Sequence, residues 1–392
     1  MNSVELFAGA GGLALAASEA GFRHLAILER DKYACHTILE NRRRGVAYVS
    51  EWPEVEPTDV REFDYSRIVG PVHLVSGGPP CQPFSLGGKH RAYNDARDMF
   101  PEAVRAVREL QPLAFVFENV RGLVRPSFAS YFEYILLQLQ YPEITKRSDE
   151  DWPEHLARLE RHHTSGRRRG LRYNVVFQVL NAADFGVPQR RERVFIVGFR
   201  ADLDVRYSFP RPTHSLDRLL WSQYVTGEYW DRHEVATRDR PEPPVRLRSR
   251  IEKLRGMLIP PREEAWRTVR DAISDLPDPR SSEARAVPNH EFNPGARPYP
   301  GHTGSPLDEP AKTLKAGDHG VPGGENMLAL PDGTVRYFTV RESARLQRFP
   351  DEFYFPGSWT ETMRQLGNAV PTDLGRVVLS SVAERLQSVV KG

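Results

Sequence analysis

Short apolar runs alternate with amphipathic stretches through the first two hundred residues, and this alternation restricts the fold more than any other feature. The apolar runs predict strands at Val4–Phe7, Leu25–Leu28, His73–Val75, Ala114–Phe117, Asn174–Leu180 and Val194–Gly198. The amphipathic stretches predict helices at Gly12–Ala20, Tyr33–Arg43, Met99–Leu110 and Ala129–Leu139. Such alternation is typical of a parallel sheet with helices on both faces, so we predict an α/β fold.

Polar and glycine-rich segments stand at the ends of four predicted strands. "FAGAGG" ends the first, "ER" follows the second, "GGPPC" follows the third and "EN" follows the fourth. In sheets of this kind the ligand binds beyond the carboxyl ends of the strands. The sequence therefore predicts one site assembled from four strand ends.

The regular alternation stops near Arg200. From there to about Thr334 the chain is rich in Pro, Arg and Gly, with enough Trp, Tyr and Leu for a small core. We predict a first domain at residues 1–199, a second, smaller and irregular domain at 200–335, and a C-terminal segment at 336–392 in which helical patterning returns. Residues 141–170 form an excursion from the first domain, and we expect its charge run to be a solvated surface.

Composition limits the class of protein. The formal net charge is +2, but 47 arginines stand against seven lysines, and arginine suits bidentate contacts with phosphate and guanine. A GC-rich genome explains the same excess, so nucleic acid is one candidate partner. Two cysteines exclude a disulfide framework and suggest a reducing compartment. The sequence shows neither a signal peptide nor an apolar run of roughly 20 residues, so we expect a cytoplasmic protein without a membrane partner.

The glycine-rich turn allows two cofactor classes. Gly9-x-Gly11-x-x-Ala14 satisfies the dinucleotide fingerprint, and Glu29 lies where an acid that binds ribose hydroxyls belongs. Nicotinamide or flavin dinucleotides and S-adenosylmethionine all fit this arrangement. Asp59 is placed for an adenine amino group, which these cofactors share. No metal site is predicted, because His162 and His163 lack partners at ligand spacing.

Cys81 follows two prolines and two glycines, so its thiol is held in a restricted turn. Cys35 lies inside a helical pattern and suits a buried apolar position. A thiolate could add to C6 of a cytosine ring and so activate C5 toward a methyl group. Glu118 would then be held protonated against N3 of the ring. Arg191 and Arg193 alternate with Glu192, share a strand face and could supply a cation near O2.

Five motifs together resemble the ordered motif set of the C5-cytosine DNA methyltransferases. They are "GGPPCQPFS", "FENV", "NAADFGVPQRRERVF", "TVRESARLQRFPDEF" and "QLGNAVP", and the resemblance covers residues 3–200 and 336–385. It implies a Rossmann-like, S-adenosylmethionine-dependent methyltransferase fold, in which the C-terminal segment folds back onto the first domain. It implies Cys81 as nucleophile, Glu118 at N3 and the exocyclic amine, and Arg193 at the cytosine, and we take Arg191 with them as a catalytic candidate. The implied S-adenosylmethionine pocket consists of Phe7, Gly9, Gly11, Gly12, Glu29, Asp59, Pro80, Phe100, Asn368 and Val370.

The resemblance implies that the middle region recognises DNA. The basic stretch contains Arg246, Arg248 and Arg250, which suit phosphates and major-groove guanines. Thr313 and Leu314 resemble a Thr-Leu element of the family's target-recognition domain. With Ser85 in the cysteine motif, these residues are the predicted DNA contacts.

These features predict a DNA (cytosine-5-)-methyltransferase that acts on a short double-stranded sequence by flipping the target base. We expect a monomer that protects host DNA in a bacterial restriction-modification system, beside an endonuclease that acts on the same site without direct binding. The nearest alternative is an RNA cytosine-C5 methyltransferase, disfavoured by helical Cys35 and by the long middle region. An amino-methyltransferase would need a different motif at Cys81. A dinucleotide oxidoreductase would leave Cys81, Glu118 and Arg193 without a role, and a non-catalytic regulator would be expected to lack Cys81 or Glu118.

Overall fold

The computed structural model describes residues 1–80, 98–166, 170–301, 303–316 and 324–390. Its strands are β1 Asn2–Leu6, β2 Arg23–Leu28, β3 Leu74–Gly77, β4 Ala114–Val120, β5 Tyr173–Asn181, β6 Glu192–Arg200, β7 His214–Ser215, β8 Glu264–Ala265, β9 Ser305–Pro306, β10 Met327–Ala329 and β11 Val335–Tyr337. Its helices are α1 Gly12–Glu19, α2 Lys32–Arg43, α3 Phe100–Leu110, α4 Ala129–Gln140, α5 Trp152–Thr164, α6 Leu216–Tyr224, α7 Glu228–Arg232, α8 Arg248–Arg255, α9 Val269–Ile273, α10 Val340–Leu346, α11 Trp359–Asn368 and α12 Thr372–Val390.

The chain divides into two compact units, and each is built from separate segments. The first unit contains Met1–Leu180, Glu192–Pro210 and Glu352–Gly392, and the second contains Asn181–Arg191 and Arg211–Asp351. These bounds differ from the predicted segments, because residues 181–191 and 336–351 belong to the second unit and residues 200–210 belong to the first. The reason is local pairing: the Gln189 amide donates to the carbonyl of Leu346 at 3.2 Å, and Arg190 N–H donates to the carbonyl of Ala311 at 2.8 Å.

The central sheet has the strand order β2-β1-β3-β4-β6-β5. Strands β1 to β4 are parallel, as predicted, whereas β6 runs antiparallel to β4. The prediction of a purely parallel sheet is therefore wrong at the pairing of β6 with β4. The reversal has a consequence for the site, because it pairs Val120 at the end of β4 with Arg193 at the start of β6. Residues of β6 thus reach the edge where β1 to β4 end.

The core of the first unit lies on a sheet that is covered on both sides. Residues 114–119 of β4 are all buried, as expected for a central strand between helical layers. Phe100 of α3 and Tyr131 of α4 belong to the same apolar cluster as Phe115 and Phe117. Helix α12 returns from the end of the chain to pack against α1, where a Cβ added at Gly375 would lie 2.9 Å from the Ala16 methyl. The C-terminal helix thereby completes a layer that begins near residue 12.

The second unit has its own small cores. Strands β11, β10 and β9 form one sheet, and β7 pairs with β8. Helix α9 packs against Leu314, Leu328 and Phe338, whereas α6 and α8 share a separate cluster around Trp221. Within the residues described, no helix is long and apolar enough to cross a membrane.

Candidate active site

The glycine-rich turn between β1 and α1 has a backbone that its sequence requires. Phe7, Gly9 and Gly11 all have positive φ angles, of 54°, 55° and 90°. A Cβ at Gly11 would lie 2.8 Å from the buried ring of Trp52, so glycine is needed for close approach as well as for conformation. A Cβ at Gly9 would meet no atom within 4 Å. Gly12 is the buried first residue of α1. The turn therefore packs tightly on one side and is open at Gly9.

The carboxylate of Glu29 is fixed by backbone donors at the end of β2. Gly9 N–H donates to Oε2 at 2.7 Å, and the N–H groups of Arg30 and Asp31 donate to Oε1 at 2.8 and 2.7 Å. Three donors hold the side chain in one orientation and tie it to the glycine-rich turn. An ionised carboxylate still has acceptor positions left, so it can receive further hydroxyl donors.

Asp59 and Phe100, both predicted to line the cofactor pocket, differ in their surroundings: Asp59 is bound to Arg61, whereas Phe100 is buried in the core. The Asp59 carboxylate accepts from Arg61 N–H at 3.0 Å and pairs with the Arg61 guanidinium at 2.5 Å, and these bonds lower the pKa of Asp59. Arg61 thus already binds the carboxylate oxygens that were predicted to accept from the adenine amino group. Phe100 is fully buried at the start of α3. Its ring is part of the core of the first unit.

Helix α11 brings the last motif to the end of β2 through contacts that the motif did not indicate. Arg364 donates to the Asp31 carboxylate at 2.7 Å, and the Thr37 hydroxyl donates to Gln365 Oε1 at 2.8 Å. Asn368 is exposed at the end of α11, and Val370 is buried just beyond it. The structure therefore places the C-terminal motif within the first unit, anchored two residues beyond Glu29.

The ends of β3 and β4 meet at the segment before Cys81. The Asn119 amide donates to the carbonyl of Pro79 at 2.8 Å, and a Cβ at Gly78 would lie 3.4 Å from Glu118 Oε2. Pro80 is exposed, and its carbonyl accepts from Met99 N–H at 3.1 Å. Glu118 was predicted at a strand end, but β4 continues to Val120 because it pairs with β6 over that length. Glu118 is thus a buried strand residue facing Gly78.

Arg193 and Glu118 form a buried ion pair. Arg193 Nε lies 2.7 Å from Glu118 Oε1, and the two side chains are 11 % and 8 % exposed. Burial lowers the pKa of the Arg193 guanidinium, and the adjacent carboxylate of Glu118 opposes that shift. Glu118 lies opposite Phe195 in the ladder, so it is the diagonal neighbour of Arg193 on the same face. A charged donor and a carboxylate are therefore held together beside Gly78.

Arg191 has a different partner from Arg193. Its guanidinium is completely buried and donates to the carbonyl of Leu314 at 2.9 Å in the second unit. Thr313 Oγ1 donates to the carbonyl of Arg190 at 2.7 Å. Leu314 is fully buried, which leaves its side chain no surface for DNA, contrary to the predicted contact. The Thr-Leu element therefore anchors the segment at 189–191 through its backbone and hydroxyl groups.

The predicted DNA-contacting arginines of the middle region lie on the surface, and two of the three pair with an acidic side chain. Arg246 donates to Glu309 at 2.8 Å, Arg250 pairs with Asp217, and Arg248 donates to the carbonyl of Pro243 at 3.4 Å. Exposed ion pairs of this kind contribute little, about 0–1 kcal/mol. They can therefore be exchanged for phosphate contacts at small cost.

Cys81 and Ser85 lie outside the described residues, so the predictions for them stay predictions. Cys35 lies in α2, where burial raises the pKa of its thiol to about 12. A thiol with such a pKa is not a nucleophile near neutral pH, in agreement with its predicted apolar role. Among the residues described, no group of three or more His, Cys, Asp or Glu could hold a metal ion.

The glycine-rich turn, the fixed acid after β2 and the buried acid–arginine pair on β4 and β6 define a Rossmann-like group-transfer enzyme of the α/β class. The model of the C-5 cytosine-specific DNA methylase family matches residues 1–141 and 167–384. The chain belongs to this family. It transfers a methyl group to C5 of cytosine in DNA, as the sequence motifs predicted. The match leaves out residues 142–166, most of the excursion.

Similar proteins agree with this family. Type II methyltransferase M.PspPI from Psychrobacter sp. is 31% identical over 395 residues, which cover 99% of this chain and 80% of the relative. Type II methyltransferase M.Eco47II from Escherichia coli is 31% identical over 398 residues, with the same coverage. Among solved structures, the S. pombe Dnmt2 methyltransferase has a TM-score of 0.54 at 16% identity and covers 99% of both chains. That likeness confirms the predicted methyltransferase fold.

Proposed function

We propose that this enzyme methylates one cytosine within a short, specific sequence of double-stranded DNA, with S-adenosylmethionine as donor and Cys81 as nucleophile. The observation that carries the proposal is the buried pair of Glu118 and Arg193 beside Gly78, three residues before Cys81. A buried acid and a buried cation in contact, together with a cysteine thiol, are the groups that activation of a cytosine ring needs.

The residues at the ends of β1 and β2 fit S-adenosylmethionine. The open space at Gly9 would let the cofactor lie close to the main chain of the turn. The fixed carboxylate of Glu29 would accept from both ribose hydroxyls. Asn368 and Val370 would border the same pocket from the C-terminal end of α11, the helix that Arg364 ties to Asp31. When bound, the cofactor supplies an electrophilic methyl group on a sulfonium.

The chemistry on the base starts with the thiolate of Cys81. It adds to C6 of cytosine, the electron pair of the C5–C6 bond becomes available at C5, and N3 takes up a proton. C5 then bonds to the methyl carbon as the bond between that carbon and the sulfonium sulfur breaks, and the sulfur leaves as a neutral thioether. A base removes the C5 proton, the C5–C6 double bond re-forms, the C6–sulfur bond breaks to return the thiolate, and N3 gives back the proton that it took up.

Glu118 and Arg193 exchange partners during this sequence. In the free enzyme the Arg193 guanidinium contacts the Glu118 carboxylate, an arrangement that favours the ionised acid. When the base enters, O2 of cytosine accepts from Arg193 in place of that carboxylate. Glu118 then takes a proton from solvent and passes it to N3 as the thiolate adds, which is the role that the sequence predicts for it. Each buried charge keeps a partner throughout, which avoids the cost of an unpaired ion.

The target base must leave the duplex to reach this site, which costs roughly a few kcal/mol. We propose that the second unit recovers this cost by binding the flanking sequence. Arg246, Arg248 and Arg250 would contact phosphates or guanines, and Ser85 would contact DNA from the cysteine motif. Thr313 would act by fixing the neighbouring chain.

We propose that the enzyme protects host DNA in a bacterial restriction-modification system. The support is that relatives covering 99% of the chain are Type II methyltransferases. It would act as a monomer in the cytoplasm, near the nucleoid. A cognate endonuclease would recognise the same site without binding the enzyme.

Trapping the intermediate tests the proposal. A duplex with 5-fluorocytosine at the target position accepts the thiolate and the methyl group, but fluorine cannot leave as a cation. With cofactor, the wild type should form a stable protein–DNA adduct linked to Cys81 by mass spectrometry. Cys81→Ala should form none and still bind cofactor. A link to Cys35, or active methylation without any adduct, would contradict the proposal.

The duplex for that experiment requires the target sequence. Bisulfite or nanopore sequencing of a plasmid from an expressing host should show C5 methylation at every copy of one short motif. Scattered methylation would count against a specific site.

A further inference from the structure

Residues 142–166, which the family model leaves out, form an ordered element in this chain. Helix α5 begins with a capping box between Asp151 and Glu154. Arg158, within α5, donates to the carboxylate of Glu150 at 2.7 Å and to the carbonyl of Thr145 at 2.7 Å, and both partners precede the helix. These are bonds within the excursion, so it folds as a unit rather than as a solvated loop.

The excursion packs on one aromatic face of α4. The Tyr134 hydroxyl donates to His155 Nδ1 at 2.9 Å, and His155 Nε2 donates to the carbonyl of Ile144 at 2.8 Å. Trp152 meets the rings of Tyr131 and Tyr134 at centroid distances of 5.6 and 5.8 Å. All but 4 % of Tyr131 is buried by this packing and by the core. The ring of Tyr131 is therefore held in one orientation by α5.

The hydroxyl of Tyr131 donates to the Asp98 carboxylate, which lies outside the excursion in sequence. The other oxygen of Asp98 accepts from Phe100 N–H at 3.2 Å at the start of α3. The next residue, Met99, donates its N–H to the carbonyl of Pro80 at 3.1 Å. Met99 thus joins the two flanks of the segment that carries Cys81, and Asp98, the preceding residue, ties that junction to Tyr131.

We propose that residues 142–166 act as a brace, working through Tyr131 on Asp98, which fixes the flanks of the Cys81 segment for attack on C6. Tyr131 is then a positioning residue. This inference rests on the proposed role of Cys81. Tyr131 links Trp152 to Asp98: its ring packs against Trp152, and its hydroxyl donates to Asp98. A displacement of about 1 Å at a reacting group can cost about 100-fold in rate, so a remote brace can have a large effect.

Two tyrosines on the same helix provide a matched comparison. Tyr131→Phe removes the hydroxyl that reaches Asp98, whereas Tyr134→Phe removes one that reaches only His155 among the hydrogen bonds described. The measurement is the single-turnover rate of adduct formation with 5-fluorocytosine DNA, at saturating DNA and cofactor. Cofactor affinity and the melting temperature are measured in parallel.

Tyr131→Phe should slow adduct formation about ten-fold or more, with cofactor affinity unchanged. Tyr134→Phe should keep a near-wild-type rate, even if its melting temperature falls equally. Trp152→Ala should slow the reaction, and adding it to Tyr131→Phe should give less than the sum of the two effects.

Equal rates for Tyr131→Phe and Tyr134→Phe would overturn the inference, as would full additivity with Trp152→Ala. Failure of the proposed function looks different, because the wild type itself would then form no adduct while still methylating ordinary DNA.

Discussion

The buried ion pair of Glu118 restricts which side chains can replace it. Its carboxylate meets Arg193 on one side and Gly78 on the other, with 8 % of the side chain exposed. An apolar side chain at this position would leave Arg193 buried without its counter-charge. Glutamine alone keeps the shape and a hydrogen-bond acceptor.

Glu118→Gln should lower the methyl-transfer rate by about 100-fold or more, because an amide cannot supply a proton to N3 as a carboxyl group does. Adduct formation with 5-fluorocytosine DNA should be slow but measurable. Glu192→Gln is the control, since Glu192 begins the same strand as Arg193 but pairs with the exposed Arg121. Single-turnover kinetics on both variants would check this, and equal rates would refute a role for Glu118.

A second buried acid predicts a pH effect on stability. Glu5 lies in the middle of β1, where burial raises its pKa to about 8, and the Ser76 hydroxyl donates to it. Its folded form keeps a proton that the unfolded chain loses above about pH 4.5. Stability should therefore fall as the pH rises from 4.5 toward 8 and level off above that.

Glu5→Gln removes the ionisable group and can still accept from Ser76. Its melting temperature should exceed that of the wild type by several degrees at pH 8, and the difference should shrink toward pH 5. Thermal unfolding at several pH values measures this. A constant difference across the range would show that Glu5 does not titrate as proposed.

At the scale of elements, the turn from β1 into α1 depends on Trp52 as much as on glycine. The Trp52 indole donates to the Ser18 hydroxyl at 2.9 Å, which fixes the ring against Gly11. The turn is therefore shaped by Trp52, which is distant from Gly11 in the sequence and which no motif includes.

Gly11→Ala should lower stability by more than Gly21→Ala. Both glycines have φ near 90°, so both variants carry the left-handed backbone cost of about 1 kcal/mol. Only the methyl at position 11 meets a ring, at 2.8 Å, whereas position 21 is open. Denaturant unfolding of the two variants isolates the contact with Trp52, and calorimetry should show weaker cofactor binding for Gly11→Ala alone.

The order of elements and the site-forming motifs could be predicted because they are local. Strand and helix periods lie within a few residues, and Glu29, Glu118 and Arg193 each stand beside a readable strand. The antiparallel direction of β6 could not be predicted, since it depends on pairing with β4. The Arg364–Asp31 contact joins residues 333 positions apart, and neither partner has an unusual neighbourhood in sequence. Helix α5 was missed because its exposed face is so charged.

At the scale of the whole molecule, the first unit is closed by its last helix. Glycine inside a helix is usually replaced by alanine with a gain of about 1 kcal/mol. At Gly375 the added methyl would lie 2.9 Å from Ala16 and 3.2 Å from Leu13, so the sign should reverse.

Gly375→Ala should therefore lower the melting temperature, and Ala16→Gly in the same chain should restore part of the loss by vacating the contact. Differential scanning calorimetry of the single and double variants measures the coupling between α1 and α12. Additive effects would show that the two helices do not pack as described.

The same packing has a consequence for synthesis. Helix α1 ends at Glu19, but the partner that covers it begins only at Thr372. At roughly 5–20 residues per second, the ribosome needs on the order of tens of seconds to make the intervening chain. During that time the apolar side of α1 is without its native cover, and a nascent chain released early cannot close the layer. Truncated products of translation should therefore be substrates for chaperones and proteases rather than partly active enzymes.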